Sequence, residues 1–441
     1  MARRTEPLYA ITHCHTRQSR NRASPMDAYI RAAVERVTGE PADAFDWSES
    51  LTSAADLERL LDGGEAARGL RRPAERVDLL FVTDHVNETT RALDADLVAL
   101  AVGDPRVALG AEVQTVAEDP PGSGRFVAAP ELLLYGGPDR VRSPGGWHFG
   151  VSAEILADLH RRCAPEAGGK PELQRLLGHC RERGIAHALA HPLDGHQLGL
   201  AATLLALSSC QFLETVNGGF SGDSTRRLLR YCRLHNAVAA QPEGARARPA
   251  SGARGRPAHA SDGDHELARW LVERLAAAGR DGIAAAVVPW GGSDAHLGAY
   301  ARVRVAFRPR NGTRGAGIPE LLSEMLGTPP AELLADQVFR IVGRGGGLGS
   351  CLAEVGRLLA HNARRNRRTF AGLRRTSRLA LIGPYLALRK VVAHRLDKER
   401  LARRLDEVLG AAEWRAVGAW SSAERASSAQ PYPACPEPPH R

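Results

Sequence analysis

The run Val77-Asp78-Leu79-Leu80-Phe81-Val82 passes without a break into Thr83-Asp84-His85, and this transition decides the fold class. Six mostly apolar residues bounded by polar ones match a strand buried on both faces and are too few for a helix. The same grammar recurs along the first three hundred residues. Residues 8–12 precede His13-Cys14-His15, residues 107–109 precede Gly110-Ala111-Glu112, and residues 132–135 precede Gly136-Gly137. Further on, residues 185–190 precede His191-Pro192, residues 211–213 precede Glu214 to Gly218, and residues 283–289 precede Gly292-Ser293-Asp294-Ala295-His296. Helical periodicity fills several gaps, over residues 26–38, 172–183, 224–235 and 265–278. Strand followed by helix, repeated, predicts an α/β protein whose parallel sheet or barrel is covered by its connecting helices.

Composition fits a globular chain: of 441 residues 43% are hydrophobic and 25% charged, which excludes disorder as the main state. The length points to one barrel-sized domain and a smaller one. The net charge of +9 is unevenly spread, because residues 357–404 hold fifteen basic side chains and two acidic ones, Asp397 and Glu399. The remainder is therefore slightly acidic, and basicity is a property of one segment. Seven scattered cysteines with no Cys-x-x-Cys pair predict neither a disulfide framework nor a zinc knuckle. The N-terminus lacks an apolar signal run, and the longest apolar stretch, residues 379–388, is about half the ~20 residues of a membrane span. A cytoplasmic location is expected, with peripheral membrane contact through the basic segment as a further option.

The polar clusters carry the functional signal, since parallel β/α barrels place their chemistry at the C-terminal ends of strands. His13 and His15 alternate across one residue and share a face. His85, Glu112, His191, Asp294 and His296 take equivalent places on further strands. Five histidines and two carboxylates crowded on one dry rim would repel or need a partner each, and divalent cations resolve that crowding.

The order His-x-His, Thr-Asp-His, Gly-x-Glu, Ala-His-Pro, Glu-x-x-Asn-Gly, Gly-Ser-Asp-Ala-His resembles the PHP family, the polymerase and histidinol phosphatase metal-dependent phosphoesterases. The likeness covers about residues 8 to 300. It implies a distorted seven-stranded, TIM-like β/α barrel that holds two or three divalent ions (zinc, manganese, magnesium or iron) and hydrolyses phosphate esters. Carried over residue by residue, it makes His13, His15, His85, Glu112, His191, Asp294 and His296 metal ligands, with Glu112 and Asp294 bridging. Asp84 would orient a ligand histidine, and Glu214 is either a ligand or a support. Two positions depart from the pattern. Arg20 and Asn21 stand where the family often has an Asp or His, and Glu131 stands where a histidine is common. Glu131 can replace it as an oxygen ligand, whereas arginine cannot ligate because it stays protonated, so two ions are the expectation. Arg17 and Arg20 either grip phosphate oxygens or face solvent.

The implied chemistry is attack by a metal-activated water on a phosphomonoester or phosphodiester of a small molecule or nucleotide. Two alternatives remain open: a catalytically weak metal-binding module recruited by its basic tail, and a nuclease whose tail grips nucleic acid. An amidohydrolase-type site, commonly bridged by a modified strand lysine, is disfavoured because Lys170, Lys390 and Lys398 lie outside the predicted strands. His148 is expected in a loop, and the glycine-rich residues 343–349 lack the downstream acid of a dinucleotide fingerprint. The expected organisation is a barrel over residues 1–308 with a flexible insertion at 241–264, a basic helical extension over 309–420, and a disordered tail over 421–441.

Overall fold

The computed structural model describes residues 6–16, 19, 52–62, 76–86, 93–119, 123–166, 169–193, 198–218, 222–241, 261–280, 282–294, 303–310, 316–343, 360–361, 364, 399–413 and 416. The 26–38 helix, residues 242–260 of the insertion, the glycine-rich 344–349, residues 365–398 of the basic segment and the tail from 417 lie outside these residues, as do Arg17, Arg20 and His296.

The chain builds a mixed α/β structure around a nearly closed, barrel-like sheet. Strand β1 (Leu8–Ile11) pairs in parallel with β2 (Leu79–Val82), and after the two-residue β3 (His85–Val86) the chain returns as β4 (Val107–Leu109), parallel to β2. Strand β5 (Ala111–Glu118) then runs antiparallel to the long β6 (Phe126–Ser143), which folds back as β7 (Gly146–Gly150) beside β4. Strand β8 (Ala186–Leu189) lies antiparallel to β6 and is followed in parallel order by β9 (Phe212–Asn217) and β10 (Val288–Gly292). Finally β11 (Val303–Phe307) pairs antiparallel with β1, and β12 (Phe339–Gly343) with β11.

The sheet path thus begins at β10 and ends at β12. These two ends meet: a Cβ added to Gly291 of β10 would lie 2.9 Å from Ile341 of β12 and 3.0 Å from Val303 of β11. Beyond the strands, the Asp294 N–H and the Ser293 hydroxyl both donate to the His13 carbonyl, at 2.9 and 2.7 Å. Closure therefore brings the polar segment after β10 against the polar segment after β1.

Strand β2 explains why its sequence reads as an unbroken apolar run. Leu79 and Phe81 point into the barrel interior with Tyr135, Phe212 and Trp290, while Leu80 and Val82 point outward against Leu57 and Leu97. Both faces are dry, so neither can be polar. The outer layer comes from α1 (Ala54–Leu61), α2 (Ala95–Gly103), α3 (Ala153–Cys163), α4 (Leu173–Arg183), α5 (Leu200–Ser209), α6 (Gly222–Ala239) and α7 (Asp262–Ala276). Helix α8 (Ile318–Gly327) packs Ile318, Leu321, Leu322 and Met325 into the interior cluster and seals that core. Leu405, Val408 and Leu409, from a helix at residues 399–413, join Leu228 of α6 and Leu271 of α7 in the outer core. Arg227 to Asp406 (2.6 Å) and Arg230 to Glu413 (2.5 Å) frame that contact.

Each of the seven expected strands overlaps a strand, although residues 283–287 precede β10, and the strand pattern differs from a simple alternation. Residues 132–135 belong to antiparallel β6, which with β5 and β7 forms a hairpin system where sequence reading expected one more parallel unit. Two glycines at its crossing make this possible: Gly136 has φ +87° and a Cβ there would sit 2.1 Å from the Gly150 carbonyl, and Gly150 has φ +116° and a Cβ there would sit 2.0 Å from the Leu109 carbonyl. Within the extension expected to be helical, α9 (Pro330–Ala335) is a short helix. Gln337, at φ +49°, turns the chain, and Phe339 to Val342 form part of β12 instead. The segment after residue 308 is therefore not purely helical. The insertion also ends before 264, because Ser261 and Asp264 form a capping box at the start of α7.

Candidate metal centre

The clusters named from sequence converge where the strands end. His13 and His15 follow β1, Asp84 and His85 follow β2, and Glu112 follows β4 after Gly110. Glu131 points from β6, His191 follows β8, Glu214 and Asn217 sit on β9, and Asp294 follows β10. Period-two alternation places Glu214 on the same inward face as Phe212, one layer above it.

Glu112 is the centre. It is wholly buried, with His15 Nε2 and His85 Nδ1 each 3.1 Å and His13 Nε2 3.5 Å from its Oε2, and His191 Nε2 2.7 Å from its Oε1. Yet neither carboxylate oxygen accepts a hydrogen bond of normal geometry among the described residues. Four imidazoles crowd one carboxylate. Asp294 Oδ1 stands opposite, 3.3 Å from His15 Nε2 and 3.6 Å from His13 Nε2. Asp294 holds φ +44°, a left-handed conformation that Asp tolerates better than most side chains.

Within this constellation three groups have ligand atoms close enough to share one cation: His13, His15 and Glu112; His13, His191 and Asp294; and His85, Glu112 and Glu131. Glu112 and His13 each serve two of them. Nitrogen and carboxylate donors of this kind suit zinc, manganese or iron.

The charge state of the metal-free site shows what a cation would replace. Burial opposes charge on His13, but the carboxylates of Glu214, Glu112 and Asp294 raise its pKa well above the usual imidazole value. Despite the same burial, the adjacent Asp294 and Glu112 carboxylates lift His15 to about 9, and the charge of Glu112 raises His191. Burial alone would push Glu112 up; the imidazolium charges of His85, His13 and His191 hold it well below the carboxylate range. Glu131 goes the other way, to about 8, because burial and the neighbouring Glu112 charge both disfavour its ionisation. Protons thus balance the anions where dications would otherwise do so.

A second layer orients these groups. Asp84 accepts from the Thr16 N–H and the Thr16 hydroxyl, both at 2.6 Å, and so fixes the turn that carries His15; burial pushes its pKa to about 6 against these bonds and the His15 charge. The Ser19 hydroxyl lies 3.3 Å from His15 Nδ1 and accepts from the His85 N–H at 2.9 Å. Sequence reading missed Thr16 and Ser19, since single hydroxyls carry no motif. It also passed over Gly292, where an added Cβ would be 1.7 Å from Glu214 Oε1 and 2.7 Å from His13 Cβ.

Glu214 enters none of the three groups that could hold a cation. His148 lies buried on β7 between the Ser143 hydroxyl and the Phe149 carbonyl, away from the centre. Cys14, Cys163, Cys180, Cys210 and Cys232 are buried free thiols. Among the described residues, no helix is long and apolar enough to cross a membrane.

No family model matches the chain, and neither the curated proteins nor the solved structures give a match.

Proposed function

We propose that this protein is a metal-dependent phosphoesterase of the PHP type, acting on a phosphorylated small molecule or nucleotide. One observation carries the reading: a fully buried carboxylate, Glu112, meets four imidazole nitrogens within 2.7 to 3.5 Å and, among the described residues, accepts no well-formed hydrogen bond. An anion so placed suits ligation far better than a structural role.

His13, His15, His85, Glu112, Glu131, His191 and Asp294 would hold the ions. Bound divalent cations supply a water acidified toward neutrality and neutralise phosphoryl oxygens during in-line attack. The chain's own part is to hold and orient. Glu112, common to two groups and carrying two oxygens, would be shared between neighbouring ions, and His13 would serve one of the two groups it can join. Asp84 and Ser19 fix His15 and His85, so that little reorganisation accompanies the reaction. The mouth of the site lies on the side of Glu131, Asp294, His85 and His191, whose side chains keep 19, 18, 14 and 11% exposure while His13, His15 and Glu112 keep none. Substrate would approach from that side.

The test combines elemental analysis of purified protein with a panel of phosphomonoesters and phosphodiesters in manganese or zinc. His85→Ala and Asp294→Ala are expected to lose bound metal and hydrolysis together. Unchanged metal content and rate in both variants would reject the assignment.

A further inference from the structure

Glu214 sits one layer behind the ligands, and both of its oxygens are taken. Oε1 is 3.0 Å from His13 Nδ1, while Oε2 accepts from the His191 backbone N–H at 2.8 Å and from Asn217 Nδ2 at 2.9 Å. Asn217 Nδ2 also lies 3.3 Å from Asp294 Oδ2. Both Glu214 and Asn217 are wholly buried. These bonds reach His13, His191 and Asp294, which together form one of the three groups able to hold a cation; His13 also belongs to the group with His15 and Glu112. None of the contacts reaches His85 or Glu131.

His13 turns its other nitrogen, Nε2, toward His15, Glu112 and Asp294, at 3.1, 3.5 and 3.6 Å. Coordination by Nε2 requires the ring proton on Nδ1, the atom facing Glu214. A carboxylate behind a ligand imidazole fixes tautomer and ring orientation. Gly292 leaves the space for it, since any Cβ there would overlap Glu214 Oε1.

We infer that Glu214, braced by Asn217, is a positioning residue dedicated to the cation held by His13, His191 and Asp294, and that it is not itself a ligand. The inference rests on the reading of this centre as a metal site. Glu214→Gln keeps the shape but offers one acceptor oxygen where two are used, so one of the three donors must face an NH2 group.

The experiment is a zinc and manganese titration of wild type, Glu214→Gln and Glu131→Gln, followed by calorimetry and elemental analysis. In Glu214→Gln one class of ion should bind about 10–100-fold more weakly while the other keeps its affinity within about twofold. Glu131→Gln should weaken the class that Glu214→Gln spares. Equal binding by Glu214→Gln and wild type, or equal weakening of every ion, would overturn the inference. If Glu214→Gln does not fold, long-range nitrogen–proton NMR of zinc-loaded wild type decides: a proton on His13 Nδ1 supports it, and coordination through Nδ1 overturns it. A wild type that binds no divalent ion removes both this inference and the proposed function, whereas a wild type that binds ions while Glu214→Gln behaves identically removes only the inference.

Discussion

Replacing Glu112 by glutamine should disable most of the metal centre while changing almost no volume. Glu112 belongs to the groups with His13 and His15 and with His85 and Glu131, so its loss leaves only His13, His191 and Asp294 intact. The variant should therefore retain at most one ion. Loss of an outer partner of a metal ligand already costs about 10–100-fold in affinity, so loss of the shared ligand itself should cost at least about 100-fold. With metal at 100 times the wild-type dissociation constant, each ion stabilises the folded protein by about 2.7 kcal/mol, so two give about 5.4 kcal/mol, whereas one intact site and one 100-fold weaker site give about 3.1 kcal/mol. At about 1–2 °C per kcal/mol for a chain of this length, the metal-induced rise in Tm should shrink from about 5–11 °C to about 3–6 °C. The assay is thermal unfolding of each protein with zinc or manganese and with chelator, alongside elemental analysis. Comparing loaded and chelated forms of the same variant cancels any effect on the metal-free fold. Full stoichiometry and an undiminished Tm rise in Glu112→Gln would refute the idea that this carboxylate is shared.

Other outcomes follow from single contacts. Gly292→Ala should lower metal affinity at least about tenfold with circular dichroism unchanged, because the new methyl group presses on Glu214 and His13; Gly103→Ala, with nothing within 4 Å, should be neutral or stabilising by up to about 1 kcal/mol. His235 is buried between the Tyr231 hydroxyl and the Ala284 carbonyl, and burial depresses its pKa to about 4. Its neutral form is favoured on folding, so its contribution is complete above about pH 6.5 and is lost as pH falls toward 4, with about 2 kcal/mol gone at pH 5. Denaturant unfolding at pH 7 and pH 5 should show that difference for wild type relative to His235→Gln, and parallel losses in the two proteins would contradict it. On the docked helix, Leu405→Ala should cost about 2–5 kcal/mol and Arg230→Ala at most about 1 kcal/mol in urea unfolding, since the leucine is fully buried and the ion pair is about one-third exposed.

The local signals were legible in the sequence because each is a short-range consequence of burial. A strand dry on both faces must be apolar throughout, which is why residues 79–82 stand out and why each of the seven such runs overlaps a strand. A polar cluster that breaks such a run marks a strand end, and that sufficed to name His13, His15, His85, Glu112, His191, Glu214 and Asp294; Glu131, which precedes its run, was named only through the family resemblance. The antiparallel β5–β6–β7 system was not legible, since it depends on glycines whose conformation is set by a crossing strand. Nor was β12, because its pairing partner β11 lies more than thirty residues away in the chain.

By itself, then, the sequence determined the α/β class, the apolar strands and the kind of donors collected at their ends. Only the tertiary structure decided how those donors are shared. Which two oxygens of a carboxylate face ligands and which face backbone N–H groups is fixed by the nearly closed sheet, which sets His13 of β1's end against Asp294 of β10's end. Glu112 and Glu214 are the same residue type on the same rim. One meets four ring nitrogens and the other meets one ring nitrogen, a backbone amide and Asn217, and that difference in surroundings separates the proposed ligand from the proposed support.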